Sequence, residues 1–116
     1  MYEIEFYKTE NGSVPVEDFI RSLEHKMQAK ALMAIEILSE FGNQLREPYS
    51  KPIGDGIFEL RIKFSSDISR IFYFFLVNNK IILTSGFIKK TQKTPKEEIE
   101  LAKKYKNDYE RRVSHE

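Results

Sequence analysis

Three strand-like stretches separated by short turns occupy the middle of the chain. They cover Ile57–Phe64, Ser69–Leu76 and Lys80–Ile88, and the first alternates with the period of two that is typical of a strand with one buried face. Ser65-Ser66-Asp67 and Asn78-Asn79 lie in the two turns, and asparagine tolerates the positive φ of tight hairpins. The pattern therefore predicts a mainly antiparallel sheet.

Helical patterns flank this block. Tyr2–Lys8 reads as a first strand, and a helix is predicted to begin at Pro15, followed by a second helix over His25–Phe41. Residues 43–56 are rich in proline and glycine and predict a loop. Thr94-Pro95-Lys96-Glu97 matches a capping box that opens a terminal helix. The order β-α-α-β-β-β-α predicts an α+β fold, a curved sheet with the helices packed on one side.

Length and composition limit the possible chemistry. The 116 residues fit one domain, residues 1–116. The absence of cysteine excludes disulfides and thiolate chemistry, and with His25 and His115 as the two histidines we expect no metal site and no cofactor. Neither a membrane span nor a signal peptide is visible, so a cytoplasmic protein is expected.

The net charge of +1 conceals an uneven distribution. Residues 1–50 carry 5 Lys and Arg against 9 Asp and Glu, whereas residues 51–96 carry 9 against 3 and residues 97–116 carry 5 against 6. A concentrated positive block indicates an anionic partner. The alternative is that these cations only solvate an exposed sheet.

The faces of the predicted strands suggest where those cations lie. Every second residue from Phe58 to Phe64 is apolar and should meet the helices, which leaves Arg61 and Lys63 on the opposite, solvent-facing side. Glu59 shares that side and is interpreted as a salt-bridge partner rather than a general base. If the strands pair in sequence order, further cations and two aromatic rings border the same concavity: Arg70, Lys89, Lys90, Lys93, Tyr73 and Phe87.

Such a surface suits RNA. Dispersed cations bind phosphates, and aromatic rings stack on unpaired bases. RNA supplies its own nucleophile, the 2′-OH, so clustered lysines and arginines are sufficient in principle to orient the reaction and stabilise its charge without a metal.

Three segments together resemble a known family. They are Gly56–Phe64, Ser69–Phe75 and Gly86–Pro95, and the likeness continues into Glu98–Ala102. In these segments and in the order of its elements, the chain resembles the HigB-like, phage-derived branch of the RelE/ParE toxins of type II toxin–antitoxin systems.

The resemblance implies a microbial RNase-like (RelE-like) fold and cleavage of messenger RNA on the ribosome. It also implies a HigA-like helix-turn-helix antitoxin, a toxin–antitoxin heterotetramer, and contact with operator DNA through the antitoxin alone. By position, Lys63 matches the family's candidate base, Arg70 the arginine that holds the scissile phosphate, and Lys90 the residue that assists the leaving group. Flanking phosphates and bases would be bound by Arg61, Tyr73, Phe87, Lys89 and Lys93.

The chain also departs from the family pattern. RelE-type enzymes often carry a tyrosine near the site in the last helix region, but here Thr94-Pro95 occupies that region and no tyrosine lies between Tyr73 and Tyr105. The basic block holds no histidine. The general acid therefore stays unassigned. Two other functions stay open: a ParE-like toxin that binds DNA gyrase without cutting RNA, and a nonspecific RNA binder or inactive prophage remnant.

Overall fold

The computed structural model describes residues 1–89 and 93–114. Within these residues, the elements follow one another as β1 (Glu3–Phe6), α1 (Pro15–Ser22), α2 (His25–Phe41), β2 (Ser50–Gly54), β3 (Ile57–Phe64), β4 (Asp67–Leu76), β5 (Lys80–Ile88) and α3 (Lys96–Val113). The bounds of α2, β3 and β5 are those predicted. None of these helices combines the length and the apolar character needed to cross a bilayer.

The five strands form one sheet in the order β1-β5-β4-β3-β2. β1 runs parallel to β5, and the other three neighbouring pairs are antiparallel. The β3–β4 and β4–β5 hairpins make the centre of the sheet, as their short turns predict. The predicted α+β class with a mainly antiparallel sheet is confirmed.

The predicted loop over residues 43–56 contains a strand that the sequence reading missed. Ser50–Gly54 pairs with β3 as an edge strand, with an irregularity between Pro52 and Gly54. Proline has no backbone N–H to donate and glycine weakens a strand, so both are tolerated at an edge or a bulge. These two residues concealed β2 because they disrupt the local pattern that would have predicted it.

The main core lies between the sheet and the helix pair α1–α2. Val16, Ala31 and Leu38 of the helices are fully buried against Leu60 and Ile71 of the central strands. We call this side of the sheet the α1–α2 face. Phe58 and Phe64 are partly buried there, so the side of β3 that was expected to meet helices does so.

The expectation that all helices pack on one side of the sheet is wrong. α3 packs on the opposite side, which we call the α3 face, where Ala102 is buried against Phe72 and Phe87. Phe74 and Ile82 are completely buried in a second cluster nearby, together with Tyr7. β4 and β5 are thus apolar on both faces, and exposing the second one to water would be unfavourable. α3 removes it from solvent.

A polar contact connects the end of α3 to the two residues that follow β1. The hydroxyl of Tyr7 donates to Asp108 Oδ2 at 2.6 Å, and Arg112 Nε donates to the same oxygen at 3.0 Å. Arg112 also donates to the Lys8 carbonyl, and Tyr7 stacks on Tyr105 with ring centroids 4.6 Å apart. Burial, followed by the bond to Asp108, raises the pKa of Tyr7 to about 12. The bonds from Arg112, Tyr7 and Arg111 hold the pKa of Asp108 far below its ordinary value of 3.8.

The lowered pKa of Asp108 predicts a specific pH dependence of stability. The folded protein keeps this carboxylate ionised where the unfolded chain would protonate it, so its contribution is present above about pH 4 and is lost as the pH falls below that value. Asp108→Asn should lower the free energy of unfolding at pH 7, and the gap from the wild type should narrow as the pH falls from about 5 towards 2. Urea denaturation across this range measures the difference in free energy of unfolding, with Asp67→Asn, at the exposed first residue of β4, as control. A gap that stays constant with pH would contradict the assignment.

Candidate nucleic-acid interface

The pairing of the central strands brings four cations onto the α3 face. Arg61 of β3 lies directly opposite Arg70 of β4, and Lys63 lies opposite Ile68. Along the edge of β4 that pairs with β5, the backbone N–H of Lys89 donates to the Ile68 carbonyl at 2.9 Å. Directly opposed residues of an antiparallel pair have their side chains on the same face of the sheet. We call Arg61, Lys63, Arg70 and Lys89 the basic cluster.

The members of the basic cluster differ in exposure. Lys63 is exposed and Lys89 is half-buried. Arg61 keeps 26% of its side chain exposed but Arg70 only 6%, so Arg61 offers the larger contact surface of the two guanidinium groups. Arg70 therefore contributes its charge largely from beneath the surface. Phe72 and Phe87, which pack under α3, border the cluster on β4 and β5.

A single buried carboxylate lies against the two arginines. Glu59 is fully buried, and its Oε1 is 3.1 Å from Arg70 Nε and 3.6 Å from Arg61 Nε. These contacts are ion pairs without hydrogen-bond geometry. Its other oxygen, Oε2, accepts a hydrogen bond of 2.8 Å from the Thr94 hydroxyl. Glu59 thus has a charged or polar partner at both oxygens, as its interpretation as a salt-bridge partner implied.

The cluster keeps an excess of positive charge in spite of Glu59. Glu59 makes ion pairs with two of the four cations, Arg61 and Arg70, and Lys51 of β2 lies directly opposite it in the sheet. Both burial and the neighbouring charges act on Lys89. Burial lowers its pKa, and the positive charges of Arg70, Arg61 and Lys51 lower it further, whereas the negative charge of Glu59 raises it. Burial likewise lowers the pKa of Arg70, against the attraction of Glu59. An anion placed at the cluster would relieve this repulsion.

Neither of the two predicted aromatic site residues offers an open ring at the basic cluster. Tyr73 is 1% exposed on the α1–α2 face, where its hydroxyl is 2.5 Å from Ser50 Oγ and its ring stacks on Phe58. The prediction that Tyr73 lies beside the basic cluster is wrong. Successive side chains of a strand point to opposite faces, so Tyr73, which follows Phe72 of the α3 face, points to the α1–α2 face. Phe87 is on the α3 face, opposite Arg70, but is only 7% exposed and packs on Phe72. It supports the site and offers no open ring to a base.

The segment before α3 also differs from its prediction. The expected capping box at Thr94–Glu97 does not form, since the helix begins at Lys96, Pro95 occupies the N-cap position, and the Thr94 hydroxyl bonds Glu59 instead. Lys93 is exposed next to this contact. The predicted site residue Lys90 lies outside the described residues.

Sequence reasoning missed Lys51 and Thr94. Lys51 was hidden because β2 was read as a loop, so no strand partner was assigned to Glu59. The proline after Thr94 made a helix cap the simplest explanation for its hydroxyl. Glu59 itself signals that such partners exist, because a carboxylate on an otherwise basic strand face requires them, but it does not identify them.

The corrected position of Tyr73 can be tested with one substitution. Tyr73→Phe leaves the buried Ser50 hydroxyl without its partner, so the free energy of unfolding should fall by about 1 kcal/mol. Because Tyr73 lies on the far side of the sheet, affinity for a single-stranded RNA oligonucleotide should stay at the wild-type value. Urea denaturation and fluorescence anisotropy measure the two quantities. Weakened RNA binding by a folded Tyr73→Phe protein would contradict this placement and show that Tyr73 belongs to the interface.

Comparison with known proteins places the chain in a family. The family model described as "Phage derived protein Gp49-like (DUF891)" matches residues 18–107 of the 116. This span includes both helices of the α1–α2 pair in large part, the whole basic cluster and Glu59. No curated protein matches the chain significantly. The chain therefore belongs to the Gp49-like family of phage-derived proteins, a family associated with RelE-like toxins.

Proposed function

We propose that this protein is the toxin of a type II toxin–antitoxin system and acts as a metal-independent endoribonuclease on messenger RNA at the ribosome. The observation that carries the proposal is the basic cluster, four cations on one sheet face with a single carboxylate between two of them. Membership in a family associated with RelE-like toxins supports the toxin part of the proposal.

The chemistry requires little beyond charge and orientation. In the proposed reaction the 2′-oxygen of the RNA loses its proton, attacks the adjacent phosphorus and expels the 5′-oxygen, which takes up a proton. The products are a 2′,3′-cyclic phosphate and a 5′-hydroxyl. Negative charge accumulates on the phosphate oxygens in the transition state, where fixed cations stabilise it more than they stabilise the ground state.

The residues divide these tasks by exposure and charge. Arg61, the more exposed guanidinium, binds the phosphate with its planar fork, while Arg70 adds positive charge from beneath. Lys63, an exposed residue near the end of β3, is the proposed base and takes up the 2′ proton in its neutral amine form. Lys89, whose pKa is lowered by burial and by the neighbouring cations, is the proposed proton donor to the leaving oxygen. A lysine with a lowered pKa transfers its proton more readily.

Two substitutions test the nuclease. Lys63→Ala should reduce cleavage in a translating extract on the order of 100-fold, and Arg61→Lys should also reduce it because a point charge cannot replace the fork. Lys30→Ala, an exposed lysine of α2 beyond the other face of the sheet, is the matched control and should cut at the wild-type rate. The measurement is the mapping of cleavage ends on a defined message.

The alternatives give different results in the same assay. Full cleavage by both variants would refute the assigned site. Intact messages together with DNA damage signalling on induction would favour the ParE-like binding of gyrase. Binding to ribosomes without any cleavage would indicate a nonspecific RNA binder.

We further propose that a helix-turn-helix antitoxin, encoded next to this chain, binds it and contacts operator DNA. This proposal rests on the family and on the resemblance to HigB-like toxins. Co-expression of the neighbouring reading frame should relieve the growth arrest caused by the chain alone, and the two proteins should elute together in size-exclusion chromatography as a complex with two copies of each. Growth arrest that persists in cells containing both proteins would contradict the pairing.

A further inference from the structure

We infer that Glu59 is a positioning residue: it holds Arg61 and Arg70 in the arrangement that binds phosphate, and it weakens overall attraction for RNA while doing so. The inference deepens the proposed function and rests on it. It does not make Glu59 a catalytic residue, because a fully buried carboxylate cannot touch the RNA.

Two guanidinium groups on directly opposed residues need such a partner. The side chains of an antiparallel pair start about 5 Å apart, and like charges at that distance repel. In water the two arginines would separate into different rotamers. Here Arg70 is almost completely enclosed, so its charge has to be balanced close by. Glu59 lies two residues before Arg61 on the same strand face, and its Oε1 reaches both arginines.

The contact with Glu59 leaves the terminal edge of Arg61, the more exposed of the two arginines, free for a phosphate. Both ion pairs with Glu59 are made through Nε, at one side of the guanidinium plane. The edge that carries the two terminal amino groups is separate from Nε, and it is the edge that grips a phosphate end-on. A carboxylate bound at Nε therefore orients an arginine without occupying that edge.

Thr94 fixes the carboxylate in turn. Its hydroxyl donates to Oε2, the oxygen that is not shared with the arginines. Thr94 belongs to the segment that leads from β5 to α3, so this bond ties the position of the arginine pair to the docking of α3. Glu59 consequently contacts the two arginines through Oε1 and the segment before α3 through Oε2.

A pair of variants separates positioning from charge. Glu59→Gln keeps the shape and an acceptor but removes the negative charge, whereas Thr94→Val keeps the charge and removes the hydrogen bond. We measure binding to a single-stranded RNA oligonucleotide whose 2′-OH at each cleavable position is replaced by hydrogen, at several salt concentrations, together with cleavage in a translating extract. Urea denaturation confirms that both variants fold.

Opposite changes in binding and cleavage are expected. Glu59→Gln should bind the uncleavable oligonucleotide about threefold more tightly at low salt, because the cluster gains one net positive charge. Its cleavage should nevertheless fall roughly tenfold or more, because the arginines lose their alignment. Thr94→Val should bind like the wild type and lose a smaller part of its cleavage. Binding and cleavage that rise together in Glu59→Gln would show a simple charge competitor, and binding and cleavage that fall together would show a merely structural residue. Either result overturns the inference.

The inference can also be judged if the wild type does not cut RNA at all. That result would refute the proposed function, and the positioning role of Glu59 would then be tested by NMR, from the Nε–H signals of Arg61 and Arg70. In the wild type these signals should be dispersed and exchange slowly, and in Glu59→Gln they should collapse towards the position of free arginine. Dispersed signals in the variant would overturn the positioning role independently of any nuclease activity.

Discussion

Two arginines face each other across the central hairpin, and the structure around them depends on how their charges are balanced. Arg61 and Arg70 are directly opposed, and Arg70 is nearly enclosed. Desolvation of a guanidinium is costly unless a counter-charge lies close. Glu59 supplies that charge and is itself withdrawn from solvent, with its second oxygen satisfied by Thr94. The surrounding lysines add further positive charge, and the resulting field is the property that an anionic ligand would recognise.

The α3 face of the sheet is divided into an apolar part and a charged part, and this division makes the arrangement of Glu59 and the two arginines possible. α3 covers the apolar part of that face, where Phe72, Phe74 and Ile82 require protection from water. Arg61 and Lys63 lie at the part that keeps solvent access. The helix is fastened at its far end through Asp108 to Tyr7, and near its start through Thr94 to Glu59. The same helix that completes the core thus limits where the charged surface can be.

The sequence predicted the fold well where local patterns and tertiary packing agree. The bounds of α2, β3 and β5 follow directly from helical spacing, period-two alternation and turn residues. β2 was missed because Pro52 and Gly54 read as loop residues when the neighbouring strand is unknown. The side on which α3 packs was predicted wrongly, although the apolar residues on both faces of β4 contained the information.

For the site, the shared face of Arg61, Lys63 and Arg70 was predictable from alternation. Tyr73 was misplaced against that same rule, and the buried contact of Thr94 with Glu59 depends on a tertiary approach that no local pattern encodes.

The central claim is that RNA lies against the basic cluster on the α3 face. Photo-cross-linking tests it most directly: a ribosome-bound message that carries 4-thiouridine and lacks the 2′-OH at the cleavage positions is irradiated with the wild-type protein, and the cross-linked peptides are identified by mass spectrometry. The account predicts cross-links in the β3 segment that contains Arg61 and Lys63 and in the segment around Lys89. Cross-links confined to α1 and α2, on the other side of the sheet, would contradict it.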